Sequence, residues 1–125
     1  MSDRSIRRVD NLEGLDELLA AAGGRLLWLF KHSLVCPLSR EGRREFERFV
    51  TESETDALFE LIEVQNARDV SDEVARRTGV RHQTPQAILL AGDEVLWSGS
   101  HWDVSVSTLA RAVREAVSSA DASFE

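Results

Sequence analysis

The chain has 125 residues, of which 42% are hydrophobic and 30% are charged, and its formal net charge is −7. This length predicts a single domain over residues 1–125, and the acidic balance without a basic stripe argues against a nucleic-acid partner. No apolar run approaches the roughly 20 residues of a membrane span, and residues 1–10 lack the apolar core of a signal peptide. We therefore expect no membrane association.

The cysteine content indicates a reducing compartment. Cys36 is the only cysteine in the chain, so no internal disulfide can form. A free thiol is the usual state in the cytosol, and a cytoplasmic location is therefore expected. No pattern in the sequence sets the oligomeric state, for which we expect a monomer.

The first third of the chain predicts one helix and one buried strand. Residues 1–9 show no clear period and predict a mobile start. Leucines three and four residues apart then predict an amphipathic helix that ends at Gly23-Gly24. The apolar run 25–30 is too short for a surface helix, and it predicts a strand that is buried on both faces.

A second helix is predicted from Pro37 to about Val50, with its apolar residues on one side. Gly42 lies in the middle of this helix. A tolerated glycine is the simpler interpretation, and a close approach of another backbone is the alternative. Residues 58–64 then predict a second strand.

The second half of the chain predicts a short helix, a hairpin and a long helix. Apolar positions between 70 and 75 predict the short helix, which stops at Gly79. Residues 86–98 alternate around a Gly-Asp turn and predict a β-hairpin. Apolar residues three and four apart from 106 to 117 predict the final amphipathic helix.

This order of elements predicts the topology. A helix separates the first two strands, so these strands should be parallel with a right-handed crossover. The two hairpin strands are antiparallel. The prediction is an α/β fold with a mixed four-stranded sheet and helices on both faces, which is the thioredoxin-like arrangement. Residues from about 10 to 118 should be ordered, with short mobile ends.

Cys36 lies where a short loop after the first buried strand meets the second helix. The unpaired N–H groups of a helix start and the positive end of its dipole favour the thiolate over the thiol. Pro37 suits the first helical turn, because its missing N–H would have no partner there. Inert packing is the alternative role for a free cysteine. The position at a loop-to-helix junction, away from any apolar stripe, favours the reactive thiol.

Several motifs resemble one family of thiol proteins, the YtxJ-type monothiol bacilliredoxins. The resemblance extends from about Leu12 to Val117. It rests on the runs Phe30-Lys31-His32-Ser33, Cys36-Pro37-Leu38-Ser39, Arg76-Arg77-Thr78-Gly79-Val80-Arg81-His82, Thr84-Pro85-Gln86-Ala87-Ile88-Leu89 and Ser100-His101-Trp102-Asp103. The resemblance implies a role in the bacillithiol system, in which a low-molecular-weight thiol replaces glutathione.

The chemistry of thiol exchange agrees with this resemblance. A thiolate must attack a disulfide sulfur, and Cys36 supplies it. Ser39 stands where a dithiol enzyme has its second cysteine, so a mixed disulfide on Cys36 must be resolved by another thiol molecule or a partner protein. Ser39 either donates a hydrogen bond to the sulfur or is solvated in the first turn. Because it has no resolving role, Ser39→Ala should keep most of the activity.

The resemblance also implies substrate-binding residues. It implies that Pro85 is cis and lies against the active sulfur, while the backbone of Thr84 pairs with an incoming disulfide substrate. An ordinary strand-initial proline is the alternative. Glutaredoxins are similar at a greater distance, and they bind the carboxylate of their thiol cofactor near the start of the last helix. Lys31, His101 and that helix start are therefore candidate contacts for the malate group of bacillithiol. Asp103 either caps the helix, as Ser105 could, or binds the ligand's ammonium group.

Three histidines are open to two interpretations. A cationic His32 near Cys36 would assist thiolate formation, and His32 is also a candidate substrate-binding residue. For each of His32, His82 and His101, a surface or hydrogen-bonded imidazole is the alternative. The sequence offers too few ligands for a metal site.

These observations predict a monothiol disulfide oxidoreductase that removes bacillithiol from protein mixed disulfides. Its partners would be bacillithiol-capped proteins and other thiol redox proteins, with bacillithiol as the thiol co-substrate and no metal. A thioredoxin-like redox sensor or binding module, whose cysteine is reversibly thiolated, is the alternative. A cysteine phosphatase is excluded, because the phosphate-binding arginine expected six residues after the cysteine is replaced by Gly42.

Overall fold

The computed structural model describes residues 6–122, with side chains described to residue 118. In chain order the elements are β1 (Ile6–Arg8), α1 (Leu12–Ala22), β2 (Leu26–His32), α2 (Pro37–Glu52), β3 (Leu58–Glu63), α3 (Arg68–Thr78), β4 (Gln86–Ala91), β5 (Glu94–Ser100) and α4 (Val106–Ala122). A 3-10 turn at His101–Asp103 connects β5 to α4. Across the described part of the chain, every helix falls short of the length and apolarity that a membrane crossing requires.

The sheet has five strands in the order β1-β3-β2-β4-β5. Strand β2 lies at the centre, parallel to β3 and antiparallel to β4, so Trp28 is opposite both Phe59 and Leu89. Strand β5 pairs antiparallel with β4 as the second arm of the hairpin. The predicted α/β arrangement of parallel and antiparallel strands is therefore confirmed.

Strand β1 is the element that the sequence pattern missed. Residues 6–8 pair parallel with β3, with Ile6 opposite Phe59, and they add a fifth strand where a mobile start and four strands were predicted. Three residues are too few to show a period of two, and their hydrogen-bond partners are more than 50 positions away in the chain. The remaining predicted mobile residues, 1–5, lie outside the described part. At the other end α4 continues to Ala122, past the predicted limit near residue 118.

The face of the sheet that carries α2 and α4 has an aromatic core. The rings of Phe30 and Phe46 stack with centroids 4.9 Å apart, and Trp28 meets Phe49 edge-on at 5.5 Å. Each of these fully buried side chains contributes roughly 2–3 kcal/mol through removal of apolar surface from water. This core fixes α2 against β2 and so fixes the helix that begins beside Cys36.

The opposite face of the sheet packs on α1 and α3 with an aliphatic core. Leu27 and Leu29 of β2 point to this side, while Trp28 and Phe30 point to the other. Side chains alternate along a strand, so the last two residues of β2 also separate. Lys31 therefore lies on the α3 side and His32 on the α2 side, as their hydrogen bonds show.

Candidate active site

Cys36 is the N-cap residue of α2, at the end of the sheet where β2 and β3 finish. Its carbonyl oxygen accepts hydrogen bonds from the N–H groups of Ser39 (3.1 Å) and Arg40 (3.2 Å), and Pro37 occupies the first helical turn. The thiol is partly buried, and within residues 6–122 it makes no capping hydrogen bond. The sulfur is therefore held at a helix N-terminus with its lone pairs free to attack.

Ser39 holds the active loop, residues 33–36, against α2. Its fully buried Oγ accepts the Ser33 N–H at 2.8 Å and lies 3.1 Å from His32 Nδ1. A serine hydroxyl has one proton and two lone pairs, so Oγ either donates to an unprotonated Nδ1 or accepts from a protonated one, according to the tautomer of His32. Neither role predicted for Ser39 is found: the side chain is not solvated, and in the described part of the chain its hydroxyl bonds the loop instead of the sulfur.

His32 is a buried, hydrogen-bonded imidazole. Burial lowers the pKa of His32 below its usual value of 6.5, and the guanidinium of Arg43 lowers it further. The ring is therefore neutral near pH 7, and the geometry favours the hydrogen-bonded interpretation over a cationic activator. With only 5% of its surface exposed, His32 also offers no contact to a substrate, which corrects the predicted binding role.

The geometry of Ser39 changes the expectation for Ser39→Ala. The substitution leaves the Ser33 N–H and His32 Nδ1 buried without a partner, so the free energy of unfolding should fall by about 1–3 kcal/mol. Exchange should slow as the loop before Cys36 loosens. Urea unfolding measures the effect, with Ser118→Ala, an exposed serine of α4, as the matched control. Equal unfolding midpoints for the two variants would show that the buried hydroxyl adds nothing.

Gln65, in the loop after β3, also holds the active loop. Its Oε1 accepts the Leu34 N–H at 2.9 Å, and its Nε2 donates to Ser33 Oγ at 2.9 Å. Sequence reasoning missed this residue. Strands β2 and β3 were predicted to be parallel, and the loops that follow adjacent parallel strands lie at the same end of a sheet. That topology was the available signal.

The Thr84–Pro85 peptide bond is cis, as the resemblance implied. Pro85 is buried against α2: a Cβ atom added to Gly42 would lie 2.9 Å from Pro85 Cβ and 3.7 Å from the ring of Phe30. Gly42 is therefore a site of close approach, and its simpler interpretation as a tolerated glycine is wrong. Within residues 6–122 no backbone hydrogen bond involves Thr84, so its N–H and C=O are available to a partner strand.

The turn after β5 lies beside Pro85. His101 donates its backbone N–H to Pro85 O at 2.9 Å, and its φ of 56° places it in the left-handed region that few residues except glycine adopt readily. Its side chain is exposed, as is that of Trp102. Asp103 accepts the Ser100 N–H at 3.4 Å and so caps this 3-10 turn, while Ser105 caps α4.

The N-terminus of α4 already holds an anion from this chain. Glu45 of α2 accepts the Val106 N–H through Oε1 at 3.1 Å. A carboxylate is well placed there, since the first N–H groups of a helix have no partner in the helix itself. The predicted ligand site at the start of the last helix is therefore filled by Glu45, which corrects that prediction.

Lys31 does not face the active loop. Its side chain has no exposed surface, and Nζ donates to the Ser71 carbonyl at 2.9 Å and lies 3.3 Å from His82 Nδ1. Burial lowers the pKa of Lys31 to about 8, against the opposing effect of Asp72. The predicted contact between Lys31 and a ligand carboxylate is thus not available, because the alternation along β2 sends this side chain to α3.

A comparison with known protein families shows to which family this chain belongs. The model described as monothiol bacilliredoxin BrxC matches residues 7–109, which include both Cys36 and Pro85. The chain belongs to the monothiol bacilliredoxin family. Together with the fold, this membership makes the bacilliredoxin chain a thiol–disulfide oxidoreductase.

Solved structures agree with the bacilliredoxin fold assignment. A protein described as having a thioredoxin fold is 30% identical, with a TM-score of 0.76, covering 86% of this chain and 92% of its own. Spinach chloroplast thioredoxin f in its short form is 18% identical, with a TM-score of 0.72 and coverage of 93% and 98%. Thioredoxin from Trypanosoma brucei brucei is 15% identical, with a TM-score of 0.75 and coverage of 92% and 93%. The last two comparisons concern the fold alone.

The structure thus brings together only some of the site residues that the sequence predicted. Cys36, Pro37, Thr84, Pro85 and His101 lie at one end of the sheet, with Asp103 in the adjoining turn. Ser39 and His32 support the loop from within, and Lys31 lies across the sheet. In the described residues no three His, Cys, Asp or Glu side chains are grouped to hold a metal ion.

The buried ammonium of Lys31 should make stability depend on pH. Between pH 8 and 10.5 the unfolded chain holds this proton more tightly than the folded chain, so the free energy of unfolding rises with pH across that window. The full rise is roughly 3 kcal/mol, and below pH 8 the whole cost of the buried charge is present. Lys31 is the only lysine and the chain has no tyrosine, so few other groups titrate there.

Urea unfolding of the Cys36→Ser protein at several pH values measures this rise in a chain that lacks the thiol. The same chain carrying Lys31→Met is the control, and its stability should stay level over the window. Parallel curves for the two proteins would contradict the assignment of the rise to Lys31.

Proposed function

We propose that this chain removes bacillithiol from protein mixed disulfides with Cys36 as its single nucleophile. The observation that carries the proposal has two parts: the Cys36 sulfur at the start of α2 makes no capping hydrogen bond among the described residues, and a buried hydroxyl, Ser39, stands in place of a resolving thiol. Cys36 is the only cysteine in the chain, so an adduct on it cannot be resolved within the molecule. A second thiol from solution must complete the cycle.

Two exchange steps balance the reaction. The Cys36 thiolate attacks the bacillithiol sulfur of the mixed disulfide, forms a Cys36–bacillithiol disulfide and releases the protein thiolate. A second bacillithiol thiolate then attacks the bacillithiol sulfur of this adduct. That step restores the Cys36 thiolate and yields bacillithiol disulfide, so no net charge or hydrogen is lost. Another redox protein could supply the second thiolate.

The surface around Cys36 fits a protein substrate. Leu34 and Val35 precede the cysteine with 46% and 80% of their surface exposed, and Trp102 in the turn beside Pro85 is 80% exposed. Exposed apolar side chains mark interaction sites where they form a contiguous patch, and we propose that these three do so beside Cys36. The Thr84 backbone has no backbone hydrogen bond among residues 6–122, so an extended substrate segment can pair with it like an added strand. An apolar surface with a backbone edge suits a polypeptide better than a small polar thiol alone.

The bacillithiol moiety has fewer candidate contacts than the sequence predicted. His101 keeps its candidate role, since its side chain is exposed beside the turn that meets Pro85. Lys31 and the start of α4 are engaged elsewhere. We propose that bacillithiol acts as a co-substrate without a metal, that the protein works as a monomer, and that the reaction takes place in the reducing cytoplasm.

Intact mass spectrometry of a bacillithiol-capped protein substrate tests the proposal. The chain is added at a low molar ratio with free bacillithiol, and the masses of both proteins are followed in time. The expected result is release of the cap over many turnovers, with a transient bacillithiol adduct on Cys36. A single stable adduct with the substrate still capped would instead favour the redox-sensor function.

A further inference from the structure

Two buried polar side chains face each other under the segment that leads to Pro85. Lys31 of β2 and Gln86 of β4 are register partners in the antiparallel ladder, so both project to the α3 side of the sheet. Both are almost completely buried, in a place where the rest of this face is aliphatic. Polar groups are costly in such a position unless they make hydrogen bonds.

Their hydrogen bonds reach consecutive residues of the connection between α3 and β4. Gln86 Nε2 donates to the Arg81 carbonyl at 2.8 Å, and Lys31 Nζ lies 3.3 Å from His82 Nδ1. Ser71 Oγ is also 3.2 Å from His82 Nδ1, and Lys31 binds the Ser71 carbonyl. The connection is therefore tied both to the sheet and to α3, two residues before Thr84.

We propose that Lys31 and Gln86 are positioning residues that hold residues 81–84 in place, so that the Thr84 backbone can pair with a disulfide-bearing polypeptide. This inference rests on the strand pairing in the proposed function. It gives Lys31 a role that its burial permits. It also links β2, which ends at the active loop, directly to the segment that receives the substrate.

The choice of residue supports positioning over packing. A methionine would fill the same space among the aliphatic side chains without the cost of burying a charge. Lys31 forms no ion pair within residues 6–122. Two charged groups lie nearby: Asp72 acts to raise the pKa of both Lys31 and His82, and Arg68 acts to lower that of His82. What its ammonium gains is two acceptors, a carbonyl on α3 and an imidazole on the connection. Arg81 and His82 have exposed side chains and no regular secondary structure, so their backbone depends on such ties.

Three variants test whether the hydrogen bond between Lys31 and His82 positions residues 81–84. Lys31→Met removes the donor and keeps the volume, and His82→Ala removes the acceptor from an exposed position that does not threaten the core. Arg81→Ala is the matched control, because Gln86 binds the carbonyl of Arg81 and not its side chain. The control also removes a positive charge from the same segment.

Hydrogen–deuterium exchange of peptides covering residues 79–84 is the first readout. Exchange should speed up about tenfold in Lys31→Met and His82→Ala, since a lost hydrogen bond to a charged group opens the segment by about that factor. In Arg81→Ala it should stay at the rate of the unmodified chain. Unchanged exchange in both test variants would overturn the proposal.

Kinetics with an activated peptide disulfide is the second readout. Cys36 attacks the peptide sulfur of a peptide–thionitrobenzoate disulfide, forms a mixed disulfide with the peptide and releases the coloured thionitrobenzoate anion, without any bacillithiol. The half-saturating peptide concentration should rise about tenfold in both test variants. Alkylation of Cys36 by iodoacetamide, which needs no strand pairing, should change less than about twofold.

The outcomes keep the two proposals distinct. An unchanged half-saturation despite faster exchange would overturn positioning, and so would an equal fall in alkylation, which indicates general loosening. If the unmodified chain fails to release bacillithiol from proteins but these variants still respond as expected, the proposed function fails and the positioning role stands.

Discussion

Cys36→Ser is expected to abolish thiol–disulfide exchange while the fold remains intact. A serine hydroxyl near neutral pH supplies no anion comparable to a thiolate, so the rate should fall to background, at least about 10³-fold. The backbone carbonyl of residue 36 still accepts the first bonds of α2 in the variant. In the part of the chain that the structure describes, the cysteine side chain makes no capping hydrogen bond, whereas serine is among the preferred N-cap residues.

The same substitution should therefore raise stability by about 0.5–1 kcal/mol. Opposite effects on activity and stability would indicate that this position is kept for chemistry at some cost to the helix. Release of bacillithiol from a capped protein measures the first effect, and urea unfolding measures the second. Ser118→Ala again controls for an unrelated surface change. Residual exchange above background in Cys36→Ser would end the single-nucleophile mechanism.

Gly42→Ala should both destabilise the chain and slow exchange. Alanine improves helix propensity by up to about 1 kcal/mol, but its methyl group would lie 2.9 Å from Pro85 Cβ and 3.0 Å from Cγ. Real Cβ atoms do not approach so closely, so α2 or Pro85 must shift. Overpacking of this kind costs roughly 1–3 kcal/mol, which outweighs the gain.

The shift also moves the two halves of the site apart. Gly42 lies in α2, whose N-cap residue is Cys36, and Pro85 directly follows Thr84. A displacement where Gly42 meets Pro85 therefore changes the position of Cys36 relative to the Thr84 backbone. We expect exchange with a protein mixed disulfide to slow about tenfold. Gly24→Ala is the matched control, because a Cβ at Gly24 meets no atom within 4 Å. A Gly42→Ala protein as stable and as active as the unmodified chain would contradict the close packing.

Much of the site could be predicted because its chemistry lies in short stretches of chain. The Cys36-Pro37 start of α2 combines a strand end, a loop and a helix cap within a few residues. The cis bond before Pro85 came from the resemblance alone, since only a small share of such bonds are cis. The contacts of Ser39 and Gln65 were not predicted, because they depend on how α2 and the loop after β3 meet. The parallel pairing of β2 and β3 indicates only the end of the sheet at which that loop lies.

The amino-acid sequence by itself determined that the single cysteine stands at a helix start, and it determined the four helices and the strands β2 to β5. These features depend on local spacing, on turn residues and on a single cysteine at a helix start, so neighbours in the chain are sufficient. Tertiary structure alone decided that β1 joins the sheet, that Gly42 contacts Pro85 and that Glu45 fills the start of α4. It also sent Lys31 to α3 and His32 to α2. The physical reason is that adjacent strand residues face opposite sides, and that their partners lie tens of residues away.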